Sequence, residues 1–297
     1  MSAELENLRI SPLAAPARDL PLDSHLHSEL SPDSAVPIDA YAARAAENGI
    51  AEIAITDHVD FEPGAPAFEF VPFEVRERTV REAAERWADR GVAIRFGVEI
   101  TYDSRFEVLI REHLATHDYD YVIGSVHVYA ASPFHASRVA RWVEGRPLVE
   151  VVAPYFDEVE RAIRSGFFDT IGHLDFVKRY LHPHVTAAQL AAAPELYERL
   201  LVALVEMGTA LEVNTSGLRQ PAAETYPSAA VVERFQLLGG TRLCAGSDAH
   251  LVRDFSAGLE AGYRVAAAAG FESFAFRRGG DRVAVALPDR FRTPAHT

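Results

Sequence analysis

The chain of 297 residues is poor in cysteine, in net positive charge and in long apolar runs. Its single cysteine, Cys244, excludes a disulfide scaffold and a thiolate zinc site. There are 29 Lys and Arg against 43 Asp and Glu, and the formal net charge of −14 repels nucleic-acid phosphates and anionic lipid. No apolar run reaches membrane-spanning length, and residues 1–19 lack the apolar centre of an export signal. These absences predict an acidic cytoplasmic protein without nucleic-acid or membrane partners.

Short apolar runs alternate along the chain with longer amphipathic segments. The runs predict seven strands, at 20–25, 51–56, 93–100, 121–127, 170–173, 210–214 and 242–247. The amphipathic segments predict helices at 38–48, 74–90, 105–116, 149–165, 187–207, 228–239 and 257–269. Strand–helix units in series favour a parallel α/β fold, here a barrel with seven strands. We expect residues 1–19 to form a loose arm, residues 20–297 to form one barrel domain, and residues 274–287 to form an edge hairpin.

Polar side chains collect where the predicted strands end. Asp23, His25 and His27 alternate along the first strand, so they point to the same side, and Asp23 can orient one of the imidazoles. Five further strands end in Thr56-Asp57-His58, Gly97-Val98-Glu99, Ser125-Val126-His127, Gly172-His173-Leu174-Asp175 and Ser247-Asp248-Ala249-His250. Taken alone, a histidine at a strand end is more often a hydrogen-bonded structural residue than a metal ligand, and an aspartate there is more often a helix cap.

Taken together, these strand ends are better explained by bound cations. Carboxyl ends of parallel strands share one face of the fold, and burying so many polar groups there without partners costs several kcal/mol each. Nitrogen and oxygen ligands suit Zn, Mn or Fe at a hydrolytic site. One tetrahedral site uses three or four ligands, so nine candidates are enough for two or three divalent ions if one carboxylate bridges. The candidates are His25, His27, Asp33, His58, Glu99, His127, His173, Asp248 and His250.

As an ordered set over about residues 20–270, these motifs resemble the polymerase and histidinol phosphatase (PHP) family. The segment Leu211–Arg219, followed by Glu224-Thr225-Tyr226-Pro227, is similar to the monofunctional histidinol-phosphate phosphatases of that family. The resemblance implies a distorted (β/α)7 barrel with a trinuclear metal centre at the carboxyl ends of its strands. It also divides the ligands into three sites: His25, His27, Glu99 and Asp248; then Glu99 as a bridge with His127 and His173; then His58, His250 and Asp33.

The resemblance further implies a phosphomonoesterase of histidine biosynthesis, which hydrolyses L-histidinol phosphate to L-histidinol and phosphate through a hydroxide that bridges two metal ions. Residues 128–138 depart from the phosphatase pattern, and loops after strands set substrate choice in such barrels. Another small phosphomonoester or a cyclic phosphodiester therefore stays open as the substrate. A non-catalytic metal-binding or proofreading module is disfavoured, because the chain is acidic and carries no polymerase segment.

The substrate phosphate needs cationic donors in addition to metal ions. Arg219 follows the sixth strand, Lys178 and Arg179 follow the fifth, and we expect Arg219 and one of the other two to bind phosphate. Together with Glu99 and Asp248, these are the predicted catalytic residues. The candidates for contacts with the ammonium and imidazole of histidinol are Glu212, Asp175, Phe61, Tyr129 and Phe134.

Three remaining features have simpler interpretations. Cys244 lies in an apolar strand and is expected to be a buried packing residue. His113 and His117 have helical spacing without a metalloprotease pattern around them, which favours a solvated helix face. Residues 61–66 follow the second strand and predict either a flexible lid or a polar loop.

Overall fold

The structure is a computed structural model that describes residues 17–128 and 132–291. Most of the expected arm at residues 1–19, and the candidate Tyr129, lie outside the described residues. The described strands are β1 (Asp23–Leu26), β2 (Glu52–Ile55), β3 (His58–Val59), β4 (Ala93–Thr101), β5 (Tyr121–Ser125), β6 (Thr170–Ile171), β7 (Ala210–Asn214), β8 (Leu243–Gly246), β9 (Ser273–Arg278) and β10 (Asp281–Ala286).

Amphipathic helices surround these strands. They are α1 (Ile38–Asn48), α2 (Phe73–Ala88), α3 (Glu107–Thr116), α4 (Val139–Val143), α5 (Leu148–Ser165), α6 (Val177–Leu181), α7 (Ala187–Ala191), α8 (Glu195–Met207), α9 (Ala229–Leu237) and α10 (Leu259–Ala268). In α5, buried apolar residues recur every three or four positions, so one face packs inward and the other stays polar. No helix in the described part of the chain combines the length and the apolar character that crossing a bilayer requires.

Seven parallel strands pair in the order β1-β2-β4-β5-β6-β7-β8 and nearly close a barrel. The short strand β3 extends the line of β2 and pairs with the second half of β4. Between β8 and β1, Leu26 pairs in parallel with Ala249, and the His27 amide donates to the Ala249 carbonyl at 3.0 Å. The predicted distorted (β/α)7 barrel is therefore confirmed, and every carboxyl strand end points to one mouth.

Helix prediction failed at one long segment and missed two short ones. The helix expected at 187–207 is two helices, because Pro194 has no amide proton and disfavours helical geometry at the residue before it. The five-residue helices α4 and α6 are too short to show amphipathic periodicity, so the sequence gives no sign of them.

The predicted hairpin forms from β9 and β10 as a separate two-stranded sheet. It contacts the amino ends of the barrel strands, opposite the mouth. Arg278 pairs with Glu52 at the start of β2, and Arg277 pairs with Asp169 just before β6. The hairpin therefore closes the lower end of the barrel, and the other end carries the polar cluster.

Candidate metal centre

All nine predicted ligands converge at the mouth of the barrel, on the floor of one cavity. The two histidines of β1, His25 and His27, are fully buried beneath the other members. The other seven line the cavity: Asp33, His58, Glu99, His127, His173, Asp248 and His250.

Glu99 lies at the centre of this cluster and is almost fully buried. One carboxylate oxygen, Oε2, lies 3.2 Å from His25 Nε2 and 3.3 Å from His27 Nε2. The other, Oε1, lies 2.8 Å from His173 Nε2 and 3.7 Å from His127 Nε2. The two oxygens thus face different imidazoles, which is the arrangement required of a carboxylate that bridges two cations.

The innermost group has the spacing of a tetrahedral site. The Nε2 atoms of His25 and His27 lie 3.0 Å apart, and Asp248 Oδ1 lies 3.9 Å and 3.4 Å from them. Ligand bonds of 2.0–2.1 Å in tetrahedral geometry place neighbouring ligand atoms about 3.3 Å apart. These three side chains, with Glu99, therefore enclose a space that fits one divalent ion.

A third group lies nearer to solvent. Asp33 Oδ2 is 3.0 Å from His250 Nε2 and 3.2 Å from His58 Nε2, and the Asp33 side chain is 44% exposed. His58 also turns its Nδ1 towards Glu99 Oε2, at 3.2 Å, so its ring lies between the outer and inner groups. The buried guanidinium of Arg76 in α2 donates to the carbonyls of Asp57 and His58 and fixes this loop.

Glu212 organises the cluster from below, a role that the sequence analysis did not assign to it. Its Oε1 accepts from His25 Nδ1 at 2.7 Å, which assigns a proton to Nδ1 and turns Nε2 towards the cluster. Its Oε2 accepts from the His173 amide at 2.7 Å. Glycine is required at Gly246, because a Cβ there would lie 2.3 Å from the His25 Cβ and 2.8 Å from Glu212 Oε1.

Asp248 is held by two polar neighbours at the end of β7. Asn214 Nδ2 and Ser216 Oγ donate to Asp248 Oδ2 at 3.2 Å and 3.1 Å, so Oδ1 is left for the cluster. Asp248 has a φ of 52° and His173 a φ of 25°, a left-handed region that is unfavourable for these residues. Such strain is typical of functional positions that surrounding contacts enforce.

Two members of the cluster, Glu99 and His127, are held in the protonation state that binds cations. Burial alone would raise the pKa of Glu99, but His25 and His58 and the His173 hydrogen bond lower it well below its usual range. Burial lowers the pKa of His127 to about 3, so its imidazole is neutral, the form that binds metal. Thr101 Oγ1 bonds His127 Nδ1 at 2.9 Å and leaves Nε2 towards Glu99.

The cavity above the cluster has a volume of about 1150 Å³. Arg179 and Arg219 line its walls, and residues 62–67 line one side, where the sequence predicts a lid or loop. Arg219 donates to the carbonyls of Ser247 and Ala257 at 2.8 Å and 3.1 Å, which fixes its guanidinium beside the Asp248 loop. Lys178 is not among the lining residues, so of the two neighbouring cations only Arg179 faces the cavity.

Three of the candidates for contacts with histidinol do not line the cavity. Phe134 is buried against Trp142 and Tyr155, and Phe61 packs on His113, so neither lines the cavity. Buried Asp175 also lies away from the cavity.

Asp23 does not orient an imidazole ring as expected. Its Oδ1 accepts from the Ser247 amide at 2.8 Å.

His113 and His117 are not a solvated face. They stack at 4.2 Å between ring centroids and are half-buried, and His113 Nε2 lies 2.9 Å from the Tyr119 hydroxyl. Cys244 is fully buried, as predicted.

The donor set and its spacing fit divalent cations. Among the described residues, groups of histidines and carboxylates with ligand atoms within 4.8 Å of one another include His25, His27 and Asp248, and His58, Glu99 and His127. Without bound cations, the burial of so many imidazoles and carboxylates close together would cost free energy of folding. A parallel barrel with this cluster at its mouth defines the protein as a metal-binding α/β-barrel enzyme.

Comparison with known proteins agrees with this class. The PHP domain family model matches residues 23–216. The chain is 33% identical over 233 residues to a probable histidinol-phosphatase of Deinococcus radiodurans, covering 77% of this chain and 85% of the relative. It is 28% identical over 239 residues to the histidinol-phosphatase of Lactococcus lactis, covering 78% and 85%. The chain belongs to the PHP domain family.

Solved structures show the same fold. The crystal structure of histidinol phosphate phosphatase from Lactococcus lactis, complexed with zinc, L-histidinol and phosphate, superposes with a TM-score of 0.74 at 24% identity. The match covers 89% of this chain and 98% of that one. A putative histidinol phosphatase from Listeria monocytogenes superposes with a TM-score of 0.69 at 18% identity, covering 81% and 99%.

Proposed function

We propose that this protein is a metal-dependent histidinol-phosphatase, which hydrolyses L-histidinol phosphate to L-histidinol and phosphate. The relatives that carry this activity in their names match about four fifths of the chain. The observation that carries the proposal is the nine-residue cluster around Glu99, on the floor of a cavity whose walls carry Arg179 and Arg219. Cation ligands and guanidinium groups in one cavity are what a phosphate dianion requires.

The cluster divides into three groups that would each hold a divalent ion such as Zn, Mn or Fe. Bound there, the ions would stabilise charge on the phosphoryl oxygens and would lower the pKa of water. Glu99 belongs to two of the groups, because its Oε2 faces His25 and His27 and its Oε1 faces His127 and His173. The groups are His25, His27, Glu99 and Asp248; Glu99, His127 and His173; and Asp33, His58 and His250.

The chain's own residues bind and orient the substrate. Arg179 is exposed on the cavity wall, with its guanidinium carbon 5.3 Å from the centre of the Phe176 ring, and presents planar donors to phosphate oxygens. Arg219 is fixed by main-chain carbonyls and faces the same cavity. Glu212 orients His25, and Asn214 orients Asp248. Asp175 accepts from Tyr197 and does not line the cavity, so it does not contact the substrate in this proposal.

A phosphate-release assay on a substrate panel tests the proposal. The panel holds L-histidinol phosphate, an aryl phosphate, a sugar phosphate and a cyclic phosphodiester, each with the metal-replete enzyme. We expect kcat/KM for L-histidinol phosphate to exceed the others by at least about 100-fold, which corresponds to about 2.7 kcal/mol of transition-state discrimination. The Glu99→Gln variant is the negative control. Equal rates on all phosphomonoesters, or a preference for the cyclic diester, would reject this substrate assignment while leaving the metal centre untouched.

A further inference from the structure

A buried ion network lies behind the cavity wall, next to the metal cluster but outside it. Lys178 Nζ lies 2.6 Å from Asp175 Oδ2 and 2.5 Å from Glu224 Oε1, and the Lys178 side chain is 3% exposed. The Tyr197 hydroxyl donates to the same Asp175 oxygen at 2.8 Å. The Tyr226 ring centre lies 5.9 Å from the ammonium nitrogen. The network therefore joins the loop after β6 to the loop after β7.

Lys178 is placed to support the cavity wall and not to touch a ligand. Its ammonium donates to two carboxylates and does not line the cavity. Burial alone would lower the pKa of Lys178, but Asp175 and Glu224 raise it above its usual value, so the charge persists. A buried ion network is a weak source of stability compared with packed apolar side chains. We therefore explain the network by the position in which it holds the cavity wall, and not by the stability that it adds.

Each end of the network is close in sequence to a cavity arginine. Arg179 directly follows Lys178, and Arg219 precedes Glu224 by five residues on the loop after β7. The same loop is tied to the barrel at Tyr226, whose amide and carbonyl both bond to Asn214 at 2.9 Å. The Lys178–Glu224 ion pair therefore links the two chain segments that carry Arg179 and Arg219.

We propose that Lys178 is a positioning residue, which sets the separation of Arg179 and Arg219 through its ion pair with Glu224. This inference rests on the proposed function in one respect, since both arginines are taken to bind the substrate phosphate. Lys178 itself makes no contact with phosphate in this account. The two guanidinium groups bind the phosphate together, and the buried ion pair sets the distance between them.

The test compares Lys178→Met with Glu224→Gln in the metal-replete enzyme. Glu224→Gln is decisive, because its side chain is 29% exposed and its loss leaves Lys178 paired with Asp175. Calorimetry measures the Kd of inorganic phosphate, and steady-state kinetics measure KM and kcat. We expect Kd and KM to rise about tenfold in both variants, because two charge-assisted contacts lose their alignment. We expect kcat to change by less than about threefold and metal content to stay constant.

The matched control is Glu206→Gln, which removes a carboxylate from an ion pair with Arg164 between two helices, at 3.1 Å and outside the cavity. It should leave phosphate affinity unchanged. The double variant Lys178→Met/Glu224→Gln should be no worse than either single variant, because both break one unit.

Two results would overturn the inference. One is a drop in Tm in both variants with unchanged Kd for phosphate, which would make the network purely structural. The other is phosphate binding lost in Lys178→Met and intact in Glu224→Gln, which would place Lys178 on the phosphate itself. The wild type could fail to hydrolyse L-histidinol phosphate while the Kd of phosphate still rises in Lys178→Met and Glu224→Gln. In that case the proposed function is wrong and the positioning role of Lys178 stands.

Discussion

Replacing Glu212 with glutamine tests how the metal cluster is held together. Every group that reaches the Glu212 carboxylate is a donor: the ring nitrogen of His25, the amide of His173 and the side-chain nitrogen of Asn214. A glutamine can accept with one end only, so its NH2 must face at least one of these donors. We expect a buried donor without a partner, and an imidazole that is no longer fixed in the tautomer that binds metal.

The expected magnitudes follow from these contacts. Loss of a carboxylate that orients a metal-binding histidine lowers metal affinity by about 10- to 100-fold, which is about 1.4 to 2.7 kcal/mol. The unsatisfied donor costs about 1 to 3 kcal/mol of folding stability. Competition with a graded series of chelators, followed by elemental analysis of the protein, measures the affinity. Denaturant unfolding measures the stability.

The matched control is Glu52→Gln, at the closed end of the barrel. Glu52 is equally buried, but it pairs with Arg95 and Arg278 and touches no member of the cluster. It should lose stability and keep wild-type metal affinity. If Glu212→Gln retains metal as tightly as Glu52→Gln does, the support assigned to Glu212 is refuted.

Four further outcomes are expected. Dialysis against a chelator should abolish phosphatase activity, and added Zn or Mn should restore it; activity that survives complete metal removal contradicts the account. Glu99→Gln should lose metal and activity together, because the charge shared by two groups is removed, as elemental analysis and the activity assay will show. Arg179→Ala should raise KM and the inhibition constant of inorganic phosphate about tenfold or more with metal content intact, and unchanged constants would remove it from the site. The free energy of unfolding should fall less between pH 6.5 and pH 4 in His113→Leu than in the wild type, as denaturant titrations at each pH will show.

The sign of the His113 effect follows from its burial. Burial, with a smaller contribution from His117, lowers the pKa of His113 to about 4, while an unfolded histidine titrates near about 6.5. The unfolded chain binds more protons between these values, so the contribution of neutral His113 is complete above pH 6.5 and declines as pH falls towards 4. Because the ring is only half-buried, we expect about 1 to 2 kcal/mol. Parallel pH profiles for wild type and variant would contradict this.

The sequence predicts the strands and the cluster well, because both depend on local patterns. Residues that end buried parallel strands must meet at one face, and this logic placed Glu99, His127 and His173 together although they lie far apart in the chain. Glu212 was misplaced as a substrate contact. The signal was available, since Glu212 and Asn214 alternate with apolar residues in β7 and so must point into the barrel.

Other features could not be found from the sequence. Whether Lys178 or Arg179 faces the cavity depends on the orientation of α6, a five-residue helix without a usable period. The burial of Lys178 depends on Glu224, which lies 46 residues away on another loop. The packing of the two loops decides this pairing, and the amino-acid sequence of either loop alone does not reveal it.

The most direct test of the central claim is a crystal structure of the purified protein with anomalous data collected at the absorption edges of Zn, Mn and Fe. We expect two or three anomalous peaks within ligand distance of the cluster, with one peak on each side of the Glu99 carboxylate. An empty cluster in protein that hydrolyses phosphate, or a single ion bound away from Glu99, would contradict it.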